Sequence, residues 1–386
     1  MIYNEITAKL EANLKAQNLD ALVLANPQNI QYATGVRIAP AQAQPGLAML
    51  ALIVPGQRPV VIVPDAWIEA AALYAYDATI QGYGTGKQPI EAALAEMAKR
   101  CDGILRAGID DDSIPVCYSD SIHAALSSIT LIPCAGLLVD LRATKTSAEI
   151  AVLSDIALKN DHVINGYLHH MIADRAKSAM SIAEGLRVHS LERDIPLQGY
   201  NACCRASVGV NLVEFWPDAP QFGFAGCMPN KVGDPMLAEA VNTQHGYWSN
   251  ATRLAINADE MSAIQIEAYG KLVRLRELLC NALRAGRTGA EVHAEIVKTA
   301  RDEKLSLVET LPVGFSVGVS AYERPFLSAG EVMTLRTGMV LVLDPVVAQD
   351  GLHYRSRDTV VLGDTAPEVV GWYKDWREPY MALPSI

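Results

Sequence analysis

The segment HYRSRD sets Arg355 and Arg357 two residues apart. Side chains alternate between the faces of a strand, so on a strand these two guanidinium groups share one face and Ser356 takes the other. A guanidinium stays charged and presents a planar fork that pairs with two carboxylate oxygens at once. The pattern calls for acids within reach, or for a carboxylate ligand. Phe215 and Trp216, in EFWPD, offer an apolar and cation–π wall suited to an ammonium or amidinium group, although aromatic side chains more commonly fill a core. Cys203 and Cys204 are adjacent, yet no motif sets a base beside them, and they read as small apolar strand residues. His169 and His170 fall on a long helix and read as surface or packing. His245 precedes Gly246 in a hairpin and reads as an exposed turn residue, while His353 faces either a pocket or solvent.

The elements that must position these groups follow from pattern. DALVLAN, LAMLALIVP, RPVVIVP and ILRAGID read as short apolar strands, and PIEAALAEMAKR and SDSIHAALSS as helices, which makes the first third an α/β layer domain. A long helix follows LRATKT, with Thr146 or Ser147 as its N-cap. From about residue 198 come long extended segments, YNACCRASVGV, PMLAEAVN, HGYWSNATRLAI, GMVLVLDPVV and LHYRSRDTVVL. Helices at roughly 260–285 and 288–304 lie between them. The boundary is placed between residues 141 and 142, giving domains 1–141 and 142–386. Half of the 386 residues are hydrophobic and 19% are charged, enough for two buried cores and against disorder. A net charge of −11 argues against nucleic-acid or anionic-membrane partners. Apolar runs stop short of membrane-spanning length, and the amphipathic start MIYNEITAKLEANLKAQ does not read as a signal peptide. Seven cysteines without a C-x-x-C pair suit a reducing cytoplasm.

Five lines, in order and suitably spaced, resemble the creatinase/aminopeptidase P/prolidase group, the pita-bread hydrolases. They are NPQNIQYATG, LRATKTSAEIAVL, KVGDPMLAEAVNTQHGYWSNATR, VGFSVGVSAYERP and GMVLVLDPVV with HYRSRDTVVL. The resemblance implies an α+β fold, a pita-bread catalytic domain preceded by a smaller α/β domain of the creatinase N-terminal kind. It also implies a homodimer with the active site near the partner's N-terminal domain.

In metal-using members of this group two Asp, one His and two Glu bind two divalent ions. The matching positions here are Glu239, Asn250, Phe315, Asp344 and Arg357. A phenyl ring has no lone pair, and a guanidinium neither ligates nor deprotonates. Two carboxylates remain where four would offset the ions, and Arg357 adds a positive charge. The expectation is a site with no metal and no other cofactor, in which Arg357 neutralises the remaining acids.

Creatinase and ectoine hydrolases, of the same group, act on small charged substrates, and creatinase does so without metal. The resemblance to them implies a metal-independent hydrolase cleaving a C–N bond of a small amidine, guanidino or cyclic amide compound. Glu239 is expected as base or nucleophile, with Asp344 or Glu323 as proton donor, because a carboxyl among acids in an apolar setting titrates high. Creatinase's catalytic His is missing, with Trp216 near its place. Tyr322 stands where the group's line has a His and offers its hydroxyl to the scissile group. Substrate contacts are expected from Arg357, Arg324, Asn250, Phe315 and Trp216, and from Arg37 of a dimer partner. Two alternatives stay open. One is a prolidase- or aminopeptidase-type metallopeptidase with altered ligands. The other is a catalytically inactive binding homologue, which would show a small-molecule site without turnover, or a filled pocket with Arg357 locked between acids.

Overall fold

The computed structural model describes residues 2–37, 47–84, 89–114, 116–173, 188, 200–205, 233, 235–256, 258–371 and 379–381. The chain divides into two compact units, Met1–Arg142 and Ala143–Ile386.

In the first unit α1 (Ile2–Ala16), β1 (Ala21–Leu24), α2 (Pro27–Thr34), β2 (Leu50–Ile53) and β3 (Val60–Pro64) are followed by α3 (Ile68–Tyr74) and β4 (Thr79–Tyr83). Then come α4 (Pro89–Ala98), β5 (Arg106–Ile109), α5 (Val116–Ala125), β6 (Thr130–Pro133) and α6 (Ala135–Ala143). The six strands form one sheet in the order β4-β3-β2-β1-β5-β6. Strand β1 pairs antiparallel with β2 and parallel with β5. Val23, Leu52, Ile62 and Ile109 of the sheet pack with Leu94 and Met97 of α4, and Leu22, Ile53, Val61 and Val63 are buried on the other face, which explains the unbroken apolar runs of these strands. Asp110, just past β5, holds the turn between β1 and α2. Its carboxylate accepts the backbone N–H groups of Ala25 and Asn26, both at 2.8 Å, and the Asn29 side chain at 3.2 Å. Asn26 caps α2 and Pro27 supplies its first residue. Burial lifts the Asp110 carboxyl above the usual carboxylate range, and these hydrogen bonds only partly offset that.

The second unit opens with α7 (Ser147–Ala173). Thr146 is its N-cap, in a reciprocal box with Glu149: the Thr146 N–H donates to Glu149 Oε2 at 2.8 Å and the Glu149 N–H to Thr146 Oγ1 at 3.3 Å. Next come β7 (Tyr200–Arg205), β8 (Pro235–Gln244), β9 (Tyr247–Ile256), α8 (Ala263–Ala282) and α9 (Gly289–Asp302). The remaining strands are β10 (Gly314–Ser316), β11 (Glu323–Phe326), β12 (Val340–Leu343), β13 (Val346–Gln349), β14 (Leu352–Arg355), β15 (Asp358–Leu362), β16 (Pro367–Val370) and β17 (Tyr380–Met381). They form two sheets, β17-β9-β8-β7 and β11-β10-β12-β15-β16, with β13 and β14 as a separate hairpin. His245 (φ 51°) and Gly246 (φ 79°) make the tight turn joining β8 to β9, and His245 is exposed there. Helices α8 and α9 pack Leu272, Leu279, Val292 and Ile296 against Leu341 and Val360 of the second sheet.

Two segments that read as single strands are each broken. GMVLVLDPVV divides at Asp344–Pro345 into β12 and β13, and LHYRSRDTVVL divides at Ser356–Arg357 into β14 and β15. Proline has no N–H to give a ladder, and both chains leave the sheet for the hairpin at this level. Among the described residues no helix is long and apolar enough to cross a membrane.

Candidate functional site

The two strand breaks bring Asp344 and both arginines together. Asp344 follows β12, and its N–H bonds to the Val313 carbonyl at 2.9 Å. Arg355 closes β14, and Arg357 lies between β14 and β15, bridged by backbone hydrogen bonds to Thr252 of β9. On the neighbouring sheet the β8–β9 register sets Glu239 opposite Thr252 and Val241 opposite Asn250. Alternation then points Glu239, Asn250 and Thr252 to one face.

The side chains meet in a sealed ionic cluster. Arg355 is bidentate on Asp344, Nε to Oδ1 at 2.6 Å and Nη2 to Oδ2 at 2.9 Å. Arg357 donates from Nε to Asp344 Oδ2 at 2.9 Å, and from Nη1 to Glu239 Oε1 at 2.9 Å and Asn250 Oδ1 at 3.0 Å. The Thr252 hydroxyl donates to the same Glu239 oxygen at 3.0 Å, and Arg355 Nη1 lies 3.7 Å from it. Both arginines and Asp344 are fully buried, and Glu239 is 1% exposed. Two carboxylates thus face two guanidinium groups, and their formal charges cancel. Burial by itself would raise the Asp344 carboxyl; the charges and hydrogen bonds of Arg355 and Arg357 outweigh it and hold the group below the ordinary carboxylate range. Phe315 and Tyr322 close the cluster, with ring centres 4.6 Å apart and 5.6 Å and 5.8 Å from the Arg357 guanidinium carbon. The half-buried Tyr322 hydroxyl accepts a hydrogen bond from Asn250 Nδ2 at 3.3 Å.

Glu239, Asn250, Phe315, Tyr322, Asp344 and Arg357 are therefore brought into one place. Glu323 is buried beside Lys145, Oε2 to Nζ at 3.6 Å, and its Oε1 accepts the Ser320 N–H at 3.0 Å. Lys145 in turn donates to Ser316 Oγ at 2.7 Å. Arg324, expected against a substrate, lies on the opposite strand face from Glu323, and its fork grips Glu331 at 3.0 and 2.6 Å. Arg37 stacks over the Tyr74 ring of its own unit at 4.4 Å. Trp216 and Phe215 lie outside the described residues, as do the side chains of Cys203, Cys204, His169 and His170. Cys134 is no better a nucleophile, since burial pushes its thiol up to about 12. His353 is buried on the Arg355 side of β14, and burial and the Arg355 charge hold its imidazole below its ordinary value. Arg355, which stands at none of the five ligand positions, joins the cluster from the same face as Arg357. Thr252 was legible only as the second residue after Asn250 on an extended strand.

The metal that the family position would hold does not fit these residues. Among the described residues no group of three His, Cys, Asp or Glu side chains could hold a metal ion. Both oxygens of Asp344 and Oε1 of Glu239 accept hydrogen bonds from Arg355 or Arg357, which set two positive charges where the ion would lie.

Residues 7–144 match the Creatinase/Prolidase N-terminal domain, and residues 163–364 match Metallopeptidase family M24. Bacillus subtilis YkvY, which carries a dipeptidase name, is 22% identical over 337 residues, covering 86% of this chain and 87% of its own. The prolidase of Thermococcus sibiricus superposes with a TM-score of 0.80 at 17% identity, over 99% of this chain and 100% of that one. The X-Pro aminopeptidase of Thermotoga maritima gives 0.81 at 16% identity, over 97% and 99%. These names overturn the expected hydrolase of non-peptide C–N bonds, because the relatives are named for peptide substrates. Sequence and architecture agree: the chain belongs to metallopeptidase family M24, with a creatinase-like N-terminal domain and a pita-bread C-terminal domain.

Proposed function

We propose that this chain is a peptide-binding member of family M24 that has given up metal-dependent hydrolysis. The observation that carries the reading is Arg357, locked between Glu239, Asp344 and Asn250. A general base needs an accessible oxygen with a pKa near the working pH, whereas Asp344 is buried and held low. The peptidase names of the relatives support short peptides as the ligand class, with the half-buried Tyr322 as the most exposed residue of the cluster. The homodimer implied by the sequence resemblance is part of this proposal and is read by light scattering.

The test is a panel of dipeptides, Xaa-Pro included, incubated with the full chain with and without Mn²⁺, Co²⁺ or Zn²⁺. We expect saturable binding by calorimetry and no release of free amino acids. Metal-stimulated cleavage that disappears in Glu239→Gln would instead establish a metallopeptidase with rebuilt ligands.

A further inference from the structure

The Arg357 guanidinium lies in a box of complementary groups. Glu239, Asp344 and Asn250 accept its N–H groups at 2.9–3.0 Å, and its carbon lies within 6 Å of two aromatic ring centres. The walls of this box have supports besides Arg357. Arg355 grips Asp344, the Thr252 hydroxyl holds Glu239, and Asn250 is tied to Tyr322. A cradle braced by its neighbours keeps its shape when its occupant is removed, the condition for a preorganised receptor.

We propose that the box is a guanidinium receptor whose resident occupant is the chain's own Arg357, so that the cation of the site is written into the sequence. Donor chemistry selects this class. Two carboxylates and one amide oxygen beside two aromatic rings suit a planar N–H donor, whereas Zn²⁺ or Mg²⁺ asks for about four to six N, O or S ligands. The aromatic faces of Phe315 and Tyr322 attract a flat, weakly hydrated cation. The inference holds whatever ligand the protein carries, so its test reads no peptide.

The experiment removes the occupant and offers a free one. Arg357→Ala leaves Glu239 without its closest cation, and we expect the melting temperature of the full chain to fall by roughly 10 °C. Added methylguanidinium, with its effect on the parent protein subtracted, then raises it by a few degrees in proportion to the logarithm of concentration. Equal concentrations of NaCl or tetramethylammonium chloride do not, and neither do MnCl₂ or ZnCl₂. Arg357→Lys keeps the charge but not the fork, so it stays below the parent and gains nothing from methylguanidinium. Should the single alanine variant fail to fold, Glu239→Gln/Arg357→Ala carries one negative charge fewer. That variant folds, and methylguanidinium raises its melting temperature more than equal NaCl does, whereas a double variant indifferent to methylguanidinium overturns the proposal. Stabilisation by Mn²⁺ or Zn²⁺ exceeding that by methylguanidinium overturns the proposal. So does a folded alanine variant indifferent to methylguanidinium.

Discussion

Asp344 is the residue on which the cluster turns, because both arginines close on it. Asp344→Asn keeps the shape and removes the charge, leaving two buried guanidinium groups facing Glu239 alone. We expect a loss of about 3–5 kcal/mol, the range for a buried pair stripped of one partner, read by urea denaturation. Arg324→Ala is the contrast. Its side chain is 46% exposed, and Glu331 keeps the backbone N–H groups of Phe326 and Met333, so the loss is about 1 kcal/mol or less. Equal losses would mean that burial does not set the scale. The site was legible where chemistry alone decides. A phenyl ring and a guanidinium at ligand positions announce a changed site, and Glu239, Asn250, Phe315, Asp344 and Arg357 do converge. Arg324 does not join them: one step along a strand reverses the face, and its partner Glu331 comes from beyond the strand.

At the scale of elements, helix limits were easier to see than strand limits. Helices α8 and α9 begin at Ser262 and Thr288, each in a capping box with the Gln or Glu three residues on. Such local bonds are written in the sequence. Thr288→Ala removes the bond to the Glu291 N–H, and we expect about 1 kcal/mol of destabilisation with unchanged helix content by circular dichroism. A shift below a few tenths of a kcal/mol would show that packing, not the cap, fixes this helix start. The breaks within GMVLVLDPVV and LHYRSRDTVVL were not legible. Pro345 and the polar centre YRSRD mark the places, but both runs keep high strand propensity on either side, and pairing with different partners, β10 and β15 for β12 but β14 for β13, divides them. At the second break Arg355 closes β14 and Arg357 bridges to Thr252 of β9, and both reach the carboxylate of Asp344.

For the whole molecule, the two units should answer acid differently. In the second unit burial holds His293 and His353 below their ordinary 6.5. A group depressed in the folded state contributes stability above its unfolded value and loses it as the pH falls through the folded one. The second unit therefore weakens as the pH drops below 6.5, and Asp344 adds a further loss below 3.8. Asp110 of the first unit is raised from 3.8, so its contribution is complete below that value and is lost as the pH rises through the folded one. Calorimetry from pH 7 down to about 4 should show the transition of the second unit moving down while that of the first moves less. His353→Gln should flatten the decline. A single transition falling in step at every pH would refute independent responses.

The seam between the two sheets has a kinetic consequence. Thr252 and Arg357 exchange backbone hydrogen bonds, and Arg253 donates to both of their carbonyls while paired with Asp161 and Asp358. Arg276 holds Asp358 from helix α8. Releasing the Arg357 amide to solvent thus requires two buried charge networks to open together. In deuterated water this amide should be among the slowest of the chain to take up label, at a rate that follows global unfolding and not local fraying.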